Sequence, residues 1–214
     1  VEIMSSRDSS GPWGYVYKLT SAGQERAKEA MERSQYVGPA PVPVNIYNDA
    51  IELQTTGPRQ VTVEQVEGTL QGLVLPSDFH RRIGPVVNSG ASLFLYRPSG
   101  NGKTTIARKI AGLISGTAPI WLPYALTAGG QIIQIHDRLF HDPVKNDKDA
   151  ANSGVDGRWG LFRRPAVIVG GEMKMEALEL RYDPISKIYE APLQLKANGG
   201  MFLIDDFGRQ QVSP

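Results

Sequence analysis

Residues 92–115 constrain the fold of this chain more than any other segment. Ser92–Tyr96 (SLFLY) is a short and almost wholly apolar run, which is typical of a strand buried on both faces of a parallel sheet. A turn containing Gly100 and Gly102 follows at once, and Lys103–Ser115 has the pattern of a helix. A buried strand, a glycine-containing turn and a helix in this order predict an α/β fold with a parallel sheet.

The turn between this strand and this helix has the chemistry of a phosphate-binding loop. The pattern G-x-x-x-x-G-K-[ST] spans residues 97–104, where glycine backbones leave room for N–H groups to surround phosphate oxygens. Lys103 would place a positive charge on the β- and γ-phosphates, and the Thr104 hydroxyl would bind Mg²⁺. The predicted nucleotide-binding residues are Pro98, Ser99, Gly100, Asn101, Gly102, Lys103, Thr104 and Thr105. The alternative is a glycine-rich turn that binds nothing.

Arg97 departs from this pattern, which normally begins with glycine. If the position needs a positive φ or close packing, arginine costs about 1–2 kcal/mol there. Its charge could equally attract a nucleotide. We therefore expect binding to survive, while a nucleotide-binding module with little hydrolysis stays open as an alternative.

A second acidic motif lies near the end of the chain. Gly199–Ile204 reads as a turn and a buried apolar strand, and two carboxylates, Asp205 and Asp206, follow. This is the Walker B pattern, in which Asp205 would hold Mg²⁺ and the next carboxylate would orient or deprotonate a water. Asp206 is one methylene shorter than the usual glutamate. The alternative is a pair of carboxylates that cap a turn.

Two stretches, Leu73–Ala107 and Ala191–Gln210, resemble AAA+ ATPases, particularly bacterial ATP-binding proteins. The resemblance covers most of residues 45–214 and rests on PSGNGKTT and on GGMFLIDD. It implies a P-loop NTPase three-layer sandwich and Mg²⁺-dependent ATP hydrolysis that drives conformational change in a homo-oligomeric ring. It also implies that Gly72–Leu75 and Ile83-Gly84 flank the adenine.

Asp205 lies 102 positions after Lys103, which is longer than in most AAA+ modules. We expect the extra chain to include a polar loop at Asp142–Gly160, with strands at Ile120–Tyr124 and Ala166–Val169 around it. The resemblance also implies sensor residues, an arginine finger and a lid after Walker B. We therefore expect the chain to be a fragment, truncated after Walker B, that hydrolyses ATP poorly by itself.

Three segments are predicted by composition. Within residues 1–37, Val1–Met4 is predicted to be the end of a strand, Tyr15–Leu19 a second strand and Ala22–Ser34 a helix. The helix is predicted to be capped by Thr20 or by a capping box of Ser21 and Gln24. This order resembles the wing and last helix of a winged-helix domain. Residues 38–44 carry three alternating prolines and are predicted to be a linker. The AAA+ resemblance implies that residues 45–214 form the ATP-binding domain. Within it the residues predict helices at Val63–Gly68 and from a Ser77 N-cap to Val87, where Asn88-Ser89-Gly90 ends the second helix.

Composition excludes several classes of protein. The chain has 23 Lys and Arg against 22 Asp and Glu, so it carries no strongly basic tail. It has no Cys, which excludes a disulfide scaffold, a Cys-ligated zinc site and a catalytic thiol. No membrane-spanning or export segment is visible, and we expect a cytoplasmic protein with no membrane partner.

Other readings stay open. The winged-helix resemblance leaves open a second function, that of a DNA-binding transcriptional regulator switched by ATP. A P-loop kinase is a third possible function. His136 and His141, each beside an aspartate, suggest a metal site, but their spacing suits no helix face. Arg163-Arg164 and His80-Arg81-Arg82 are each predicted to be solvated. The client protein is not indicated.

Overall fold

The computed structural model describes residues 2–6, 15–55, 61–76, 78–96, 102–144 and 156–207. The structure is mixed α/β and divides into two compact units. One unit comprises residues 1–37 together with 182–188, and the other comprises residues 38–181 and 189–214. The predicted Arg97, Pro98, Ser99, Gly100 and Asn101 of the phosphate loop and the Ser77 N-cap lie outside the described residues.

The elements follow in chain order. The strands are β1 (Glu2–Ser6), β2 (Tyr15–Lys18), β3 (Val42–Pro43), β4 (Ile120–Pro123), β5 (Ala125–Ala128), β6 (Gln131–Gln134), β7 (Trp159–Phe162), β8 (Ala166–Val169), β9 (Arg181–Asp183), β10 (Ile188–Glu190) and β11 (Met201–Ile204). The α-helices are α1 (Ser21–Arg33), α2 (Val44–Thr55), α3 (Val63–Leu70), α4 (Phe79–Ser89), α5 (Lys103–Ser115) and α6 (Leu193–Lys196), and a 3₁₀ turn covers Met175–Leu178.

The first unit contains the predicted hairpin and helix. β1 and β2 pair antiparallel, and α1 follows. Thr20 caps the helix, because its hydroxyl accepts a hydrogen bond from the N–H of Gly23 at 3.2 Å. The capping box expected at Ser21 and Gln24 is therefore wrong, since Ser21 is already the first helical residue. In the same unit the N–H of Gln35 donates to the carbonyl of Ser186 at 2.8 Å.

The second unit contains the strands β3, β5 and β6, together with Tyr189 and Glu190 of β10, as neighbours in a mixed sheet of the order β3-β5-β6-β10. β3 runs parallel to β5, β5 antiparallel to β6, and β6 parallel to β10. The β5–β6 hairpin turns at Gly129-Gly130, whose φ angles of 56° and 76° suit glycine. Val42, in the segment predicted to be a linker, is fully buried in β3, and α2 begins directly after Pro43.

Two further strand pairs lie in the same unit. β4 and β7 pair antiparallel, whereas β8 and β11 pair parallel. Both apolar runs predicted at Ala166–Val169 and before Asp205 are thus confirmed as strands, and the strand expected at Ile120–Tyr124 is observed as β4. Parallel pairing places the carboxyl ends of β8 and β11 side by side, with Ile204 opposite Val169.

Helices α3, α4 and α5 enclose one apolar cluster. Its buried members are Val61, Val66, Leu70, Ile83, Val87, Ile106, Ile110, Leu113 and Ile114, and Met201 of β11 packs against it. α3 begins with a capping box between Thr62 and Gln65. α4 ends at Gly90, with a φ of 66°, as the sequence predicts. The bounds of α5 agree with the predicted helix.

The strand predicted at Ser92–Tyr96 is wrong. These residues have no regular secondary structure, and Phe94 and Tyr96 are 70% and 80% exposed. A strand needs a hydrogen-bonding neighbour, and no strand in the described ranges pairs with this run. Only Leu95 packs against the helical cluster, while the Phe94 ring lies 6.2 Å from that of Tyr96. Apolar composition alone therefore overstates the burial of this segment.

Within the described ranges, no helix has both the length and the apolar run that crossing a bilayer requires.

Candidate functional site

The amino end of α5 carries four of the predicted nucleotide-binding residues. Gly102 is the N-cap residue, with a φ of 71° that glycine adopts without strain, and its carbonyl accepts from the N–H of Ile106 at 2.9 Å. Lys103 and Thr104 are half-buried in the first turn, whereas Thr105 is exposed. The first-turn N–H groups and the helix dipole make this end favourable for an anion.

The apolar face of α5 fixes the direction of this helix. Ile106, Ile110 and Ile114 are buried, and the helix packs against both β8 and β11. The spacing of these residues is that of one helical face. Packing on the two parallel strands therefore holds the first turn of α5 at the carboxyl ends of β8 and β11.

The second acidic motif meets the helix at this point. The hydroxyl of Thr104 donates to Oδ1 of Asp205 at 3.1 Å, although the two residues are 101 positions apart. Asp205 is half-buried at the end of β11, and its N–H donates to the carbonyl of Val169 at 2.8 Å. The structure therefore brings together the two residues that the sequence predicts to hold Mg²⁺.

Asp206 stands beside this pair in an unusual backbone conformation. Its φ is 52°, in the left-handed region that few residues other than glycine, asparagine and aspartate adopt. Its N–H donates to Oδ1 of Asp205 at 3.1 Å, so one carboxylate oxygen accepts from both Thr104 and Asp206. Asp206 itself is exposed. The turn thus fixes the Asp205 carboxylate and leaves the Asp206 side chain accessible to solvent.

The donor set at this site fits Mg²⁺ only in part. Within the described ranges, no group of three or more His, Asp or Glu side chains could enclose a metal ion. One hydroxyl and one carboxylate are too few for an all-protein cage. Mg²⁺, however, is usually held by one or two carboxylates together with substrate phosphates and waters. Thr104 and Asp205 fit that arrangement.

The two histidines considered for a metal site have other partners. His141 is buried, its Nδ1 accepts from the N–H of Asp137, and its Nε2 lies 2.9 Å from the carbonyl of Lys196. The hydrogen bonds assign the proton to Nε2. Burial lowers the pKa of His141 and also that of His136, whose ring lies 5.2 Å from that of Phe162. Both nitrogens of His141 are occupied, so the structure does not support a metal there.

A buried lysine organises the loop beside these histidines. The Lys196 side chain is 5% exposed and donates to Asp137 at 2.8 Å and to Glu190 at 2.5 Å. Burial is the largest single influence and raises the pKa of each carboxyl group. The hydrogen bond and charge of Lys196, together with the N–H of Leu139 at Asp137 and with Arg181 at Glu190, outweigh burial in sum and leave both pKa values below their ordinary range. This network lay outside the sequence predictions, because no local pattern marks a buried lysine.

The sequence also misjudged one of two adjacent arginines. Arg163 is exposed and pairs with Asp142 at 3.2 Å, as expected for a solvated residue. Arg164 is buried, and its guanidinium donates to three main-chain carbonyls, one of which belongs to Gly199. The solvated reading of Arg164 is therefore wrong. Successive side chains of an extended segment point to opposite faces, which was the one available signal.

Two further polar segments lie in α4 and directly after β8. His80 is half-buried, while Arg81 and Arg82 are exposed, and Arg82 pairs with Asp78 at 2.9 Å. Gly170 and Gly171 follow the end of β8, and Glu172 accepts from the N–H of Gly170 at 3.1 Å. The Nδ1 atom of His80 is buried and has no hydrogen-bond partner among the described residues.

Comparison of this chain with protein-family models and with curated protein sequences gives no match, so its functional interpretation rests on the residues and geometry described above.

Proposed function

We propose that this chain is an ATP-binding module that binds ATP with Mg²⁺ and belongs to an AAA+-like ATPase with the P-loop NTPase three-layer sandwich. The observation that carries the proposal is the hydrogen bond of 3.1 Å between Thr104 and Asp205. Two motifs distant in sequence were each expected to supply one ligand to the same Mg²⁺. Their meeting at the first turn of a helix supports one nucleotide site.

In this proposal each residue has a defined task. Lys103 and the N–H groups of the loop neutralise the phosphates, and Thr104 and Asp205 hold Mg²⁺, which neutralises charge on the phosphate oxygens when bound. Asp206 accepts a proton from a water that attacks the γ-phosphorus, and ADP leaves with the bridging oxygen. The exposed position of Asp206 supports access to such a water.

Assembly of the full protein into a homo-oligomeric ring is part of the same proposal and rests on the AAA+ resemblance alone. A DNA-binding regulator remains the alternative. Within α1, three basic side chains (Arg26, Lys28 and Arg33) are balanced by three acidic ones (Glu25, Glu29 and Glu32). In the winged-helix resemblance α1 is the last helix and not the recognition helix, so its balanced charge does not weigh against this alternative.

Calorimetric titration with ATP, in Mg²⁺ and in EDTA, tests the proposal. We expect Lys103→Ala to abolish measurable binding, because the lysine charge contacts the phosphates directly. Arg108→Ala is the matched control, since Arg108 is an exposed cation on the same helix, and it should bind as the unsubstituted chain does. Equal affinities for Lys103→Ala and the unsubstituted chain would contradict the proposal.

Arg97→Gly separates two versions of the proposal. If this variant and the unsubstituted chain both bind ATP, arginine is tolerated at the first loop position. If only Arg97→Gly binds, the nucleotide-binding fold is retained and this chain is a disabled copy. If neither binds, the proposed function is wrong for this chain.

A further inference from the structure

The register between β8 and β11 decides where Asp205 lies. Met201 pairs with Ala166 and Ile204 with Val169, and Asp205 follows directly. A shift by one residue would move the carboxylate along the strand by about 3.3 Å, enough to break its hydrogen bond with Thr104. It would also turn every side chain of β11 to the opposite face.

The side chains of the two strands specify this register weakly. β8 has the sequence AVIV and β11 has the sequence MFLI, so every position in both is apolar. In a strand with alternating polar and apolar residues, a one-residue shift would bury polar groups. Here the same shift exchanges one apolar residue for another. Contacts at the ends of the strands therefore have a larger part in fixing the register.

The turn before β11 provides one such contact. The N–H of Met201 donates to the carbonyl of Pro165 at 2.8 Å. Gly199 has a φ of 78°, and a Cβ on Gly200 would lie 1.9 Å from the oxygen of Pro165. Only glycine fits this position. The turn is thus in direct contact with the residue that precedes β8.

Arg164 holds the same turn from the other side. Arg164 is 8% exposed, and its Nη1 atom donates to the carbonyl of Gly199 at 2.5 Å. Nε donates to the main-chain carbonyl of Ala118 at 3.0 Å, and Nη2 donates to that of Gln54 at 3.3 Å. Ala118 lies two residues before β4, and Gln54 lies in α2. The planar guanidinium can reach diverging acceptors at fixed angles, which a lysine ammonium cannot reproduce.

We propose that Arg164 is a positioning residue that sets the register of β11 against β8 and thereby holds Asp205 beside Thr104. It acts through the Gly199 carbonyl at the amino end of β11, while the carboxylate that it positions follows the carboxyl end. The register is a property of the fold, whereas its consequence for Mg²⁺ rests on the proposed function.

Disulfide trapping tests the register directly, because the chain has no Cys of its own. Ile168 and Leu203 are paired, so cysteines at both positions should cross-link. Cysteines at Ile168 and Phe202, or at Ile168 and Ile204, should cross-link only after a shift by one residue. In the Arg164→Met background we expect the shifted cross-links to rise about tenfold or more relative to the background with Arg164.

Two further variants make the result decisive. Arg164→Lys keeps the charge but loses the planar fork, so it should also permit shifted cross-links. Arg163→Met removes the exposed neighbour, which pairs with Asp142, and should keep the native pattern. A native pattern in both folded Arg164 variants would overturn the proposal. Loss of cooperative unfolding in both would also overturn it, because Arg164 would then be a general core residue.

The functional consequence is read from ATP titrations. The ratio of the ATP affinity in Mg²⁺ to that in EDTA should fall about tenfold in Arg164→Lys, which is the effect of losing one charge-assisted contact. The ATP affinity in EDTA should be unchanged. A loss of equal size in both buffers would indicate a merely structural role. If the unsubstituted chain shows no Mg²⁺-dependent binding, the proposed function fails, while cross-linking still decides the role of Arg164.

Discussion

Gly200→Ala is the substitution whose effect the structure specifies most closely. An added Cβ would lie 1.9 Å from the carbonyl oxygen of Pro165 and 2.8 Å from its carbonyl carbon. Both are main-chain atoms, so no side-chain rotation can relieve the contact. The turn must move by about 1.5 Å to reach an ordinary van der Waals distance.

The cost of this movement has two parts. Forcing an extra carbon into a packed site costs about 1–3 kcal/mol. The movement also breaks the hydrogen bond from the N–H of Met201 to Pro165, which contributes about 1 kcal/mol. We therefore expect the free energy of unfolding to fall by about 3 kcal/mol. For a chain of 214 residues this lowers the melting temperature by roughly 10 °C.

Urea denaturation followed by circular dichroism measures the effect. Gly112→Ala is the matched control, because Gly112 lies inside α5 and nothing stands within 4 Å of an added Cβ. That substitution should stabilise the chain by about 0.5–1 kcal/mol. If Gly200→Ala unfolds within about 1 kcal/mol of the unsubstituted chain, the packing of this turn is not as described.

Three further substitutions probe the remaining contacts. Lys196→Met should lower the free energy of unfolding at pH 7 by about 2–3 kcal/mol, measured by urea denaturation. The effect is smaller than for a fully buried ion pair because the carboxylate partners are partly exposed. Lys174→Met is the control, because Lys174 is exposed and its substitution should have no measurable effect. Folding lowers the pKa of both Asp137 and Glu190, so the stabilisation by Lys196 is complete above about pH 5, where both carboxyl groups are ionised in the unfolded chain. It is lost as the pH falls through the lowered folded-state pKa values, below which the curves of Lys196→Met and of the unsubstituted chain should converge. Thr104→Val should reduce the Mg²⁺-dependent gain in ATP affinity about tenfold and leave binding in EDTA unchanged, and a uniform loss would count against the site. The pKa of His141 is lowered by burial, so the unfolded chain binds more protons and stability should fall as the pH drops below about 6.5; His141→Gln should flatten that fall in the urea midpoint.

Local patterns predicted the elements that depend on local chemistry. The apolar stripe and glycine N-cap of α5 gave its bounds, and the apolar runs of β8 and β11 gave two strands. The same reasoning gave no helix at Val44–Thr55, whose first residue was still assigned to the proline-containing linker. Proline is tolerated at the start of a helix, where its missing N–H is not needed.

Contacts between distant residues could not be predicted in the same way. Ser92–Tyr96 has the composition of a buried strand, but composition does not supply the neighbouring strand that such a run needs. Arg163 and Arg164 are adjacent arginines, so residue type does not indicate which of the two is buried. The burial of Arg164 depends on carbonyls 35, 46 and 110 positions away. No periodicity in the surrounding sequence encodes those acceptors.

Thr104 and Asp205 are an instructive exception, since their contact spans 101 positions and was still expected. Each belongs to a motif that was interpreted by the same chemistry, namely ligation of one Mg²⁺ beside a phosphate. Chemistry can thus predict a distant contact where packing patterns cannot. The packing that makes the contact precise comes largely from elsewhere, since β8 and β11 are apolar throughout and specify their register only weakly. The glycine turn and Arg164 supply that register, so the residues that define the site and those that position it occupy opposite ends of β11.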